Sequence, residues 1–507
     1  MNSRPTLAFL FALLGALSAC GKSTVTTSTP PPGPAMPARG DLIDKPPAKV
    51  ASLAPSDLLA LLGGNDLGKL LLQLSYTPKC TITVYHLTYE TVDPQDNITP
   101  ASGALMVPSG SDSGCTAGRP LVLYAHGTTT DHAFNIADLQ ASDEGLLLAA
   151  VFAAEGYIVV APNYVGYDTS TLGYHPYLVA DHQSKDMIDS LTAARHALPT
   201  SDAPMSTDGG KLFITGYSQG GFVAMATHSA MQSANMTVTA SAPMSGPYAL
   251  AAFADAVFEG QVNESGPVNA ALLIVAYQKA YGDVYSSPGD VFAAKYASSI
   301  ETLLPSTTSL SDLRAQGKFP SALFDSTPPS PALAIYTPAT MPALFAGVFA
   351  AGFGTDFLVI NDYRGAYVSD ALAQPDGGFP TVTDGLPAAN PTNKFRVHLK
   401  ANDQRNWTPA APVLLCGGNS DPTVFFFNTT LMQHYWVGHP PTTAPVILDI
   451  DSPVTPGDPY AALKTAFSAA KNAIFTTGGE AAVLADYHAG LVPPFCLSAV
   501  KSFFDAH

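Results

Sequence analysis

A serine between two glycines, placed between a strand-like and a helix-like segment, constrains the fold more than any other feature of the sequence. Residues 216–220, Gly-Tyr-Ser-Gln-Gly, follow the apolar run 212–215 and precede the helix-like run 222–231. A serine on a sharp turn from strand to helix exposes its hydroxyl, and small flanking glycines let neighbouring backbones approach that turn. The helix N-terminus also favours negative charge that develops beside it. This context predicts that Ser218 is a nucleophile at the edge of a sheet.

Short apolar runs separated by helix-like stretches predict the rest of the core. Period-two alternation predicts an antiparallel pair at residues 81–92 and 103–107. An amphipathic stretch over residues 184–197 predicts a helix. Together these features indicate an α/β fold with a doubly wound, mostly parallel sheet. Continuously apolar runs predict its buried parallel strands, at residues 120–125, 157–161, 211–215, 237–242, 412–416 and 445–450.

Between residues 251 and 400 this alternation of strands and helices stops. The interval is rich in Ala, Phe, Tyr and Pro, and a structureless loop of this length inside a compact domain is implausible. We therefore expect a large, mostly helical cap insertion over residues 251–400. It would separate two parts of the α/β core, at residues 56–250 and 401–507.

The first residues carry the signals of export rather than of folded structure. Arg4 precedes the apolar run 7–17, which is too short to span a membrane because a spanning helix needs about 20 apolar residues. The sequence Leu-Ser-Ala-Cys that ends at Cys20 resembles the lipobox of bacterial lipoproteins. The resemblance implies that residues 1–19 are a signal peptide and that acyl chains on Cys20 anchor the protein to the cell envelope. Gly21 favours the outer membrane, and plain secretion is the alternative.

The next part of the chain has the composition of a linker. Residues 23–29 are rich in Ser and Thr, and Pro, Ala and Gly dominate from there to about Pro55. This composition favours partly extended chain. We predict a tether over residues 20–55, with folded chain beginning near Ser56 as the N-cap of a helix.

The composition as a whole is globular and acidic. Hydrophobic residues make up 47% of the chain and charged residues 12%, which excludes an intrinsically disordered protein. Lys and Arg number 23 against 40 Asp and Glu, so the formal net charge is −17. This balance disfavours a nucleic-acid partner, because duplex binding relies on cationic side chains that neutralise phosphates. We expect a small-molecule or lipid-like partner, with membrane contact through the lipid anchor only.

A serine hydroxyl needs a neighbouring base to act as a nucleophile. Where a serine lies on a strand-to-helix turn of this kind, the chain order is serine, acid, histidine, and the last two follow later strands. His488 follows the last apolar strand and precedes a predicted helix over residues 497–504, so it is the predicted base. His434 and His439 precede the strand at 445–450, and we interpret them as surface or cap contacts.

Asp421 is the predicted acid. It lies in the loop Gly-Gly-Asn-Ser-Asp-Pro directly after the strand at 412–416. From there its carboxylate would orient the imidazole of His488 and stabilise the imidazolium. Asp449 and Asp451, at the end of the next strand, are the alternatives. A role for Asp421 as a turn former alone also remains open.

The oxyanion of a tetrahedral intermediate needs hydrogen-bond donors. We predict that the backbone N–H of Gln219 is one donor. The second would come from the segment His126-Gly127-Thr128, which follows the strand at 120–125. Thr128 would supply its N–H, Gly127 would let the loop come close, and His126 would be a structural residue rather than the base.

The chain contains five cysteines, and removing Cys20 leaves four, an even number suited to an oxidising compartment. Of the three possible pairings we favour Cys80–Cys115, around the first hairpin, and Cys416–Cys496, which would tie the acid and base segments together. Four buried free thiols are the alternative. No His/Cys cluster has zinc-ligand spacing, and we expect neither a metal nor a cofactor.

Three motifs resemble the secretory-lipase branch of the α/β-hydrolase superfamily. They are His-Gly-Thr at 126–128, Ala-Pro-Asn-Tyr-Val-Gly-Tyr-Asp at 161–168, and the Gly-Tyr-Ser-Gln-Gly segment. The resemblance covers residues 81–247 and 412–504 but not the cap. Asn163 departs from the pattern, because Asp is more common at that position.

The resemblance implies a carboxylesterase or lipase with Ser218, Asp421 and His488 as its triad. The expected reaction is hydrolysis of a carboxylic ester through an acyl-enzyme. A serine peptidase of the same fold that cuts short peptides is the first alternative. A lipid-anchored binding protein with a degenerate site is the second.

Overall fold

The computed structural model describes residues 37–74, 76–198 and 206–507. Pro37–His507 form one unit by their contacts. The predicted signal peptide, Cys20 and the first part of the predicted tether lie outside the described residues.

Strands make up one large and one small sheet in the described chain. The strands are β1 (Ala48–Leu53), β2 (Thr81–Val92), β3 (Ile98–Ser109), β4 (Ala117–Ala125), β5 (Ile158–Pro162), β6 (Ser206–Tyr217), β7 (Ala240–Met244), β8 (Ala322–Asp325), β9 (Phe353–Gly354), β10 (Phe357–Val359), β11 (Leu414–Gly417) and β12 (Val446–Asp449). The large sheet has the order β1-β2-β3-β5-β4-β6-β7-β11-β12. Its first four strands pair antiparallel, and from β5 to β12 neighbouring strands pair parallel. All eight predicted strands are present; β2 has the predicted ends, and the other seven differ at one or both ends.

Helices connect the strands and cover both faces of the large sheet. They are α1 (Pro55–Gly64), α2 (Asp66–Gln73), α3 (Asp143–Val151), α4 (Ala180–Ala197), α5 (Gln219–Ser233), α6 (Leu250–Phe258), α7 (Gly266–Tyr281), α8 (Ala294–Ala297), α9 (Leu310–Ala315), α10 (Ala346–Ala351), α11 (Asn361–Ala373), α12 (Lys394–Asn402), α13 (Phe427–Gly438), α14 (Ala461–Asp486) and α15 (Val492–Asp505).

The parallel strands are buried on both faces, which explains their continuous apolar sequences. Successive residues of a strand point to opposite faces. In β4, Leu121 and Leu123 pack with α4 and α5, whereas Val122 and Tyr124 pack with α3 and α15. The predicted fold class, a mostly parallel α/β-hydrolase sheet with helices on both faces, is therefore confirmed.

The predicted cap insertion, residues 251–400, lies in the chain between β7 and β11. Helices α6 to α12 account for most of its regular structure. It also contains the small parallel sheet β10-β8-β9, which we did not predict. Its strands have only two to four residues, too few to produce a recognisable alternation in the sequence.

The predicted tether is wrong over its last part. Strand β1 lies within it and pairs antiparallel with β2, from Ala48 opposite His86 to Leu53 opposite Ile82. Leu42 is buried and bridges Tyr89, also on β2. As an edge strand, β1 pairs with only one neighbour and is largely exposed. It therefore has no continuous apolar run, and the composition of the segment suggested a linker. Folded chain thus begins before residue 55, and α1 starts at Pro55 rather than after a Ser56 cap.

Both predicted disulfides are present. Cys80 and Cys115 are bonded with Cα atoms 5.4 Å apart, and Cys416 and Cys496 with Cα atoms 5.7 Å apart. The second bond joins the end region of β11 to α15.

The stretch from Ala461 to Asp505 is long and apolar enough to cross a membrane by length and composition. However, 67% of its most apolar window is buried inside the fold. Phe467, Phe495 and Val500 on this stretch pack into the core beside the sheet. We therefore describe α14 and α15 as helices of the globular fold.

Candidate active site

Ser218 lies on a strained turn between β6 and α5. Its φ of 59° places it in a backbone region that non-glycine residues rarely adopt. The turn is held by a hydrogen bond from the Ser218 N–H to the Met244 carbonyl on β7, at 3.0 Å. The Gly221 N–H in turn donates to the Ser218 carbonyl at 2.9 Å. Strain held in this way at one residue is typical of functional sites.

The two flanking glycines are required by close backbone approach. A Cβ atom on Gly220 would overlap the carbonyl oxygen of Ala125, at the end of β4. A Cβ atom on Gly216 would overlap the carbonyl oxygens of Gly220 and Ala125. The Gly-x-Ser-x-Gly pattern therefore reflects the tight packing of β4, β6 and α5 around the serine.

The structure brings Ser218, His488 and Asp421 together. Nε2 of His488 lies 2.8 Å from Oγ of Ser218, and Nδ1 of His488 lies 2.7 Å from Oδ2 of Asp421. The other carboxylate oxygen of Asp421 accepts the N–H groups of Thr423 and Val424, at 2.8 and 2.9 Å. His488 and Asp421 are buried. The three groups form one hydrogen-bonded chain in the order that a serine nucleophile needs.

His488 projects from a π-helical turn, Tyr487–Leu491, between α14 and α15. Its own carbonyl accepts a hydrogen bond of 2.5 Å from the hydroxyl of Tyr217, the residue before the serine. Single π-helical turns of this kind occur frequently at functional sites.

The alternative acids hold the loop of Asp421 instead of contacting His488. Asp449 accepts the backbone and side-chain N–H groups of Asn419, at 3.2 and 2.8 Å. Asp451 accepts the hydroxyls of Ser420 and Tyr487 and pairs with Lys471. Both carboxylates thus support the loop from outside.

The alternative histidines lie on the surface. His434 is exposed on α13. His439 follows that helix, is also exposed, and its ring stacks on Tyr435. Neither has a hydrogen bond to Ser218, and both are part of the surface, as we interpreted them.

The predicted oxyanion loop lies beside the serine. Gly127, Thr128, Ser218 and His488 line one cavity. The Thr128 hydroxyl lies 2.9 Å from the hydroxyl of Tyr177. The predicted donors, the N–H groups of Thr128 and Gln219, belong to this loop and to the first residue of α5.

His126 is buried beneath this loop. Its two ring nitrogens lie 2.7 and 3.0 Å from the carbonyl oxygens of Gly127 and Asn163, and its ring stacks on Tyr164. Burial lowers the pKa of His126 to about 4. The ring is therefore neutral near pH 7, which fits a structural residue. The Asn163 side chain is also structural, because it accepts the Ile136 N–H at 2.8 Å.

Comparison with known proteins agrees with this geometry. The model of the prolyl oligopeptidase family matches residues 147–280, and no curated protein matches the chain. A mutant of the rice cell wall degrading esterase LipA from Xanthomonas oryzae is 25% identical with a TM-score of 0.66, covering 93% of this chain and 99% of that one. A second crystal structure of LipA is 26% identical with a TM-score of 0.62, covering 89% and 98%. The chain is a serine hydrolase of the α/β-hydrolase superfamily.

A putative hydrolase from Legionella pneumophila shares the fold of this hydrolase. It is 18% identical with a TM-score of 0.61, and the match covers 92% of this chain and 97% of that one. An alignment over so much of both chains includes most of the region between β7 and β11. The helical insertion of the hydrolase is therefore part of a recurring arrangement.

Ser218 of this hydrolase lies between two cavities. We name the first the apolar cavity; its lining is dominated by Leu250, Phe253, Ala254, Val257, Phe258 and Leu273. We name the second the histidine-side cavity, because His488 lines it and does not line the first. Its polar lining includes Thr130, Asp143, Glu144, Ser265 and Asn269.

Two further residues of the site were not predicted from the sequence. Glu144, at the start of α3, accepts the Gly127 N–H at 3.1 Å with both carboxylate oxygens and the Tyr124 hydroxyl at 2.8 Å. His175 contacts the side chain of Gln219. Acids in the first turn of a helix are common, so only the fold distinguishes Glu144 from an ordinary helix start. His175 lies in an irregular segment without any motif.

Proposed function

We propose that this hydrolase cleaves carboxylic esters through an acyl-enzyme formed on Ser218. The observation that carries the proposal is the hydrogen-bonded chain from Ser218 through His488 to Asp421, with Ser218 also lining an apolar cavity. The likeness to an esterase over 89–93% of the chain supports it.

The proposed reaction has two halves, acylation and deacylation of Ser218, and both use His488 and Asp421. Ser218 Oγ attacks the ester carbonyl carbon while its proton passes to Nε2 of His488, and Asp421 stabilises the imidazolium. The N–H groups of Gln219 and Thr128 stabilise the oxyanion. Collapse breaks the bond to the alcohol oxygen, which leaves with the proton from Nε2. Water then attacks the acyl-enzyme by the same route and releases the acid.

A serine peptidase of the same fold is the second candidate. The match to the prolyl oligopeptidase family favours it, but that match covers residues 147–280, the region around the nucleophile. This region contains Ser218, the nucleophile in either reaction, whereas Asp421 and His488 lie outside it. The lining of the apolar cavity favours an acyl chain over a peptide, because it presents few hydrogen-bond partners for a peptide backbone.

A substrate panel distinguishes the candidates. We expect turnover of p-nitrophenyl esters of rising chain length and no turnover of aminoacyl nitroanilides. Ser218→Ala should abolish ester turnover, and Ser229→Ala, on the outer part of the same helix, should leave it unchanged. Turnover of the anilides alone would favour the peptidase. No turnover of either series would favour a binding protein with a degenerate site.

The identity of the base has its own test. His488→Ala should reduce kcat by at least about a thousandfold, close to the loss on removing Ser218, because the two groups act as one unit. His434→Ala is the matched control and should be near wild type. Near-normal activity of His488→Ala would assign the base to another residue.

We also propose that the hydrolase is exported and anchored to the cell envelope by lipid on Cys20. The two disulfides support an oxidising compartment. Cys20→Ala should move the protein from the detergent phase to the aqueous phase of a Triton X-114 partition. Equal partitioning of the variant and the wild type would contradict the lipid anchor and leave the ester chemistry untouched.

A further inference from the structure

The two cavities beside Ser218 place the two halves of an ester on different sides. When the ester bond breaks, the alcohol oxygen must receive the proton held by Nε2 of His488. The alcohol therefore occupies the cavity that His488 lines, which is the histidine-side cavity. The acyl group then extends into the apolar cavity. This assignment follows because the proton on Nε2 of His488 must reach the oxygen of the leaving alcohol.

The charge of the histidine-side cavity restricts the alcohol. Asp143 and Glu144 are both acidic, and among the described residues no Lys or Arg lines this cavity. Thr130 and Ser265 add hydroxyl groups, and Asn269, which lines both cavities, adds an amide among several apolar side chains. An alcohol with hydroxyl groups or a cationic group finds partners there, whereas an anionic alcohol meets negative charge.

Glu144 is fixed in place within this cavity. Its carboxylate accepts hydrogen bonds from the Gly127 N–H and the Tyr124 hydroxyl, which leaves lone pairs for a substrate donor. Burial raises the pKa of Glu144 to about 7. Above that pH the side chain carries its negative charge beside the leaving alcohol.

We propose that the substrates are esters of an apolar acid with a hydrogen-bonding, uncharged or cationic alcohol, and that Glu144 is the specificity-determining residue against anionic alcohols. This inference rests on the proposed ester hydrolysis at Ser218. It also predicts that short peptides are poor substrates, because their C-terminal carboxylate lies on the leaving-group side of the scissile bond.

Three hexanoate esters of matched size test the inference. Hexanoylcholine carries a cationic alcohol, 3,3-dimethylbutyl hexanoate is its neutral isostere, and 3-(hexanoyloxy)propanoate carries an anionic one. At pH 8.5 we expect kcat/KM for the choline ester to exceed that for the anionic ester by about tenfold or more, from charge interaction at short range in a partly screened site. The neutral ester should lie between them.

The variant Glu144→Gln tests the contribution of the Glu144 charge to this preference. It should reduce the ratio of cationic to anionic kcat/KM by about fivefold, because one charge is removed near the alcohol. The ratio cancels any common effect of Glu144 on Gly127. Asp143→Asn, at the exposed rim, should reduce the ratio by about twofold. Glu480→Gln, which removes an exposed charge on α14, is the control and should leave the ratio unchanged.

The outcomes separate this inference from the proposed function. Equal kcat/KM values for the three esters, or an unchanged ratio in both Glu144→Gln and Asp143→Asn, would overturn the assignment of the alcohol cavity. In either case p-nitrophenyl ester turnover and labelling of Ser218 by a fluorophosphonate would persist. Loss of both of those in the wild type would instead overturn the ester hydrolase itself.

Discussion

The side chain of Gln219 donates a hydrogen bond of 2.7 Å to Nε2 of the buried His175. The opposite ring nitrogen of His175 lies 2.8 Å from the Val165 carbonyl, so it carries the proton and Nε2 accepts. Burial lowers the pKa of His175 to about 3. The ring therefore stays neutral, and the residue that follows the nucleophile is fixed by a contact that does not titrate near neutrality.

Replacing His175 should weaken the proposed oxyanion site without touching the substrate. In His175→Ala the Gln219 side chain loses its hydrogen bond to the imidazole. The position of Gln219, the first residue of α5, is then less constrained. We expect kcat for a p-nitrophenyl ester to fall by about tenfold while KM changes little, because donor position matters most in the transition state.

The control for this effect is another buried imidazole. His182 is buried and contacts the Val92 carbonyl at 2.7 Å, away from Gln219. His182→Ala should lower thermal stability and leave the kcat of the folded enzyme near wild type. A KM increase without loss of kcat in His175→Ala would argue against a positioning role.

Asp451 connects the residues that directly precede the proposed acid and base. Its carboxylate accepts the hydroxyls of Ser420 at 3.0 Å and Tyr487 at 2.7 Å. We expect Asp451→Asn to reduce kcat by about tenfold, since both loops lose a shared anchor and small displacements are costly in a triad. The measurement is kcat at saturating ester, compared with Asp362→Asn, an exposed site on α11. Wild-type kcat in Asp451→Asn would mean that the loops are held by other contacts.

The sequence predicted those parts of the fold whose physical causes are local. Strand β2 has the predicted bounds, Thr81–Val92, because alternation over twelve residues is a strong signal. The buried parallel strands were visible as continuous apolar runs. Ser218, Asp421 and His488 could be chosen because chain order and strand position together leave few candidates.

The features that were not predicted depend on partners far away in the sequence or on an irregular backbone. Strand β1 is defined by pairing with β2 rather than by its own pattern. Helix α14 has a non-helical residue inside it, Gly479 with φ of 70°, which interrupts its periodicity. Glu144 is an ordinary acid in the sequence, and Asp451 was predicted only as an alternative to Asp421; the tertiary fold places them against Gly127 and Tyr487.

The two disulfides should affect activity differently. Cys416 lies in β11, the strand before Asp421, and Cys496 lies in the helix after His488. Cys416→Ser with Cys496→Ser should therefore lower both stability and the kcat of the folded enzyme, the latter by about tenfold because the acid and base segments are no longer tied. Thermal unfolding and kcat at a temperature well below Tm measure the two effects.

The disulfide Cys80–Cys115 is the matched control. It lies at the far end of the β2–β3 hairpin and closes a loop of 35 residues, against 80 for the other. By loop-closure entropy each bond contributes about 4 kcal/mol, so both double variants should lose similar stability. Only the first should lose kcat, and equal kcat in the two variants would show that Cys416–Cys496 is purely structural.

Asp186 should make stability depend on pH in a predictable direction. It is buried and accepts the Tyr89 hydroxyl at 2.6 Å and the Val165 N–H at 2.9 Å. Burial raises its pKa from the ordinary value of a carboxyl, 3.8, to about 7. Between these values the folded state binds more protons than the unfolded state, so this group's stabilisation is complete at low pH and is lost as pH rises through 7.

Asp186→Asn removes that dependence, because an amide does not titrate. We expect the Tm of the variant relative to wild type to increase from pH 5 to pH 8, since only the wild type must deprotonate a buried carboxyl in this interval. Asp362→Asn, on the surface of α11, should show a Tm difference that is the same at both pH values. A Tm difference for Asp186→Asn that stays constant, or decreases, between pH 5 and pH 8 would mean that Asp186 remains charged in the folded protein, with its hydrogen bonds outweighing the cost of burial.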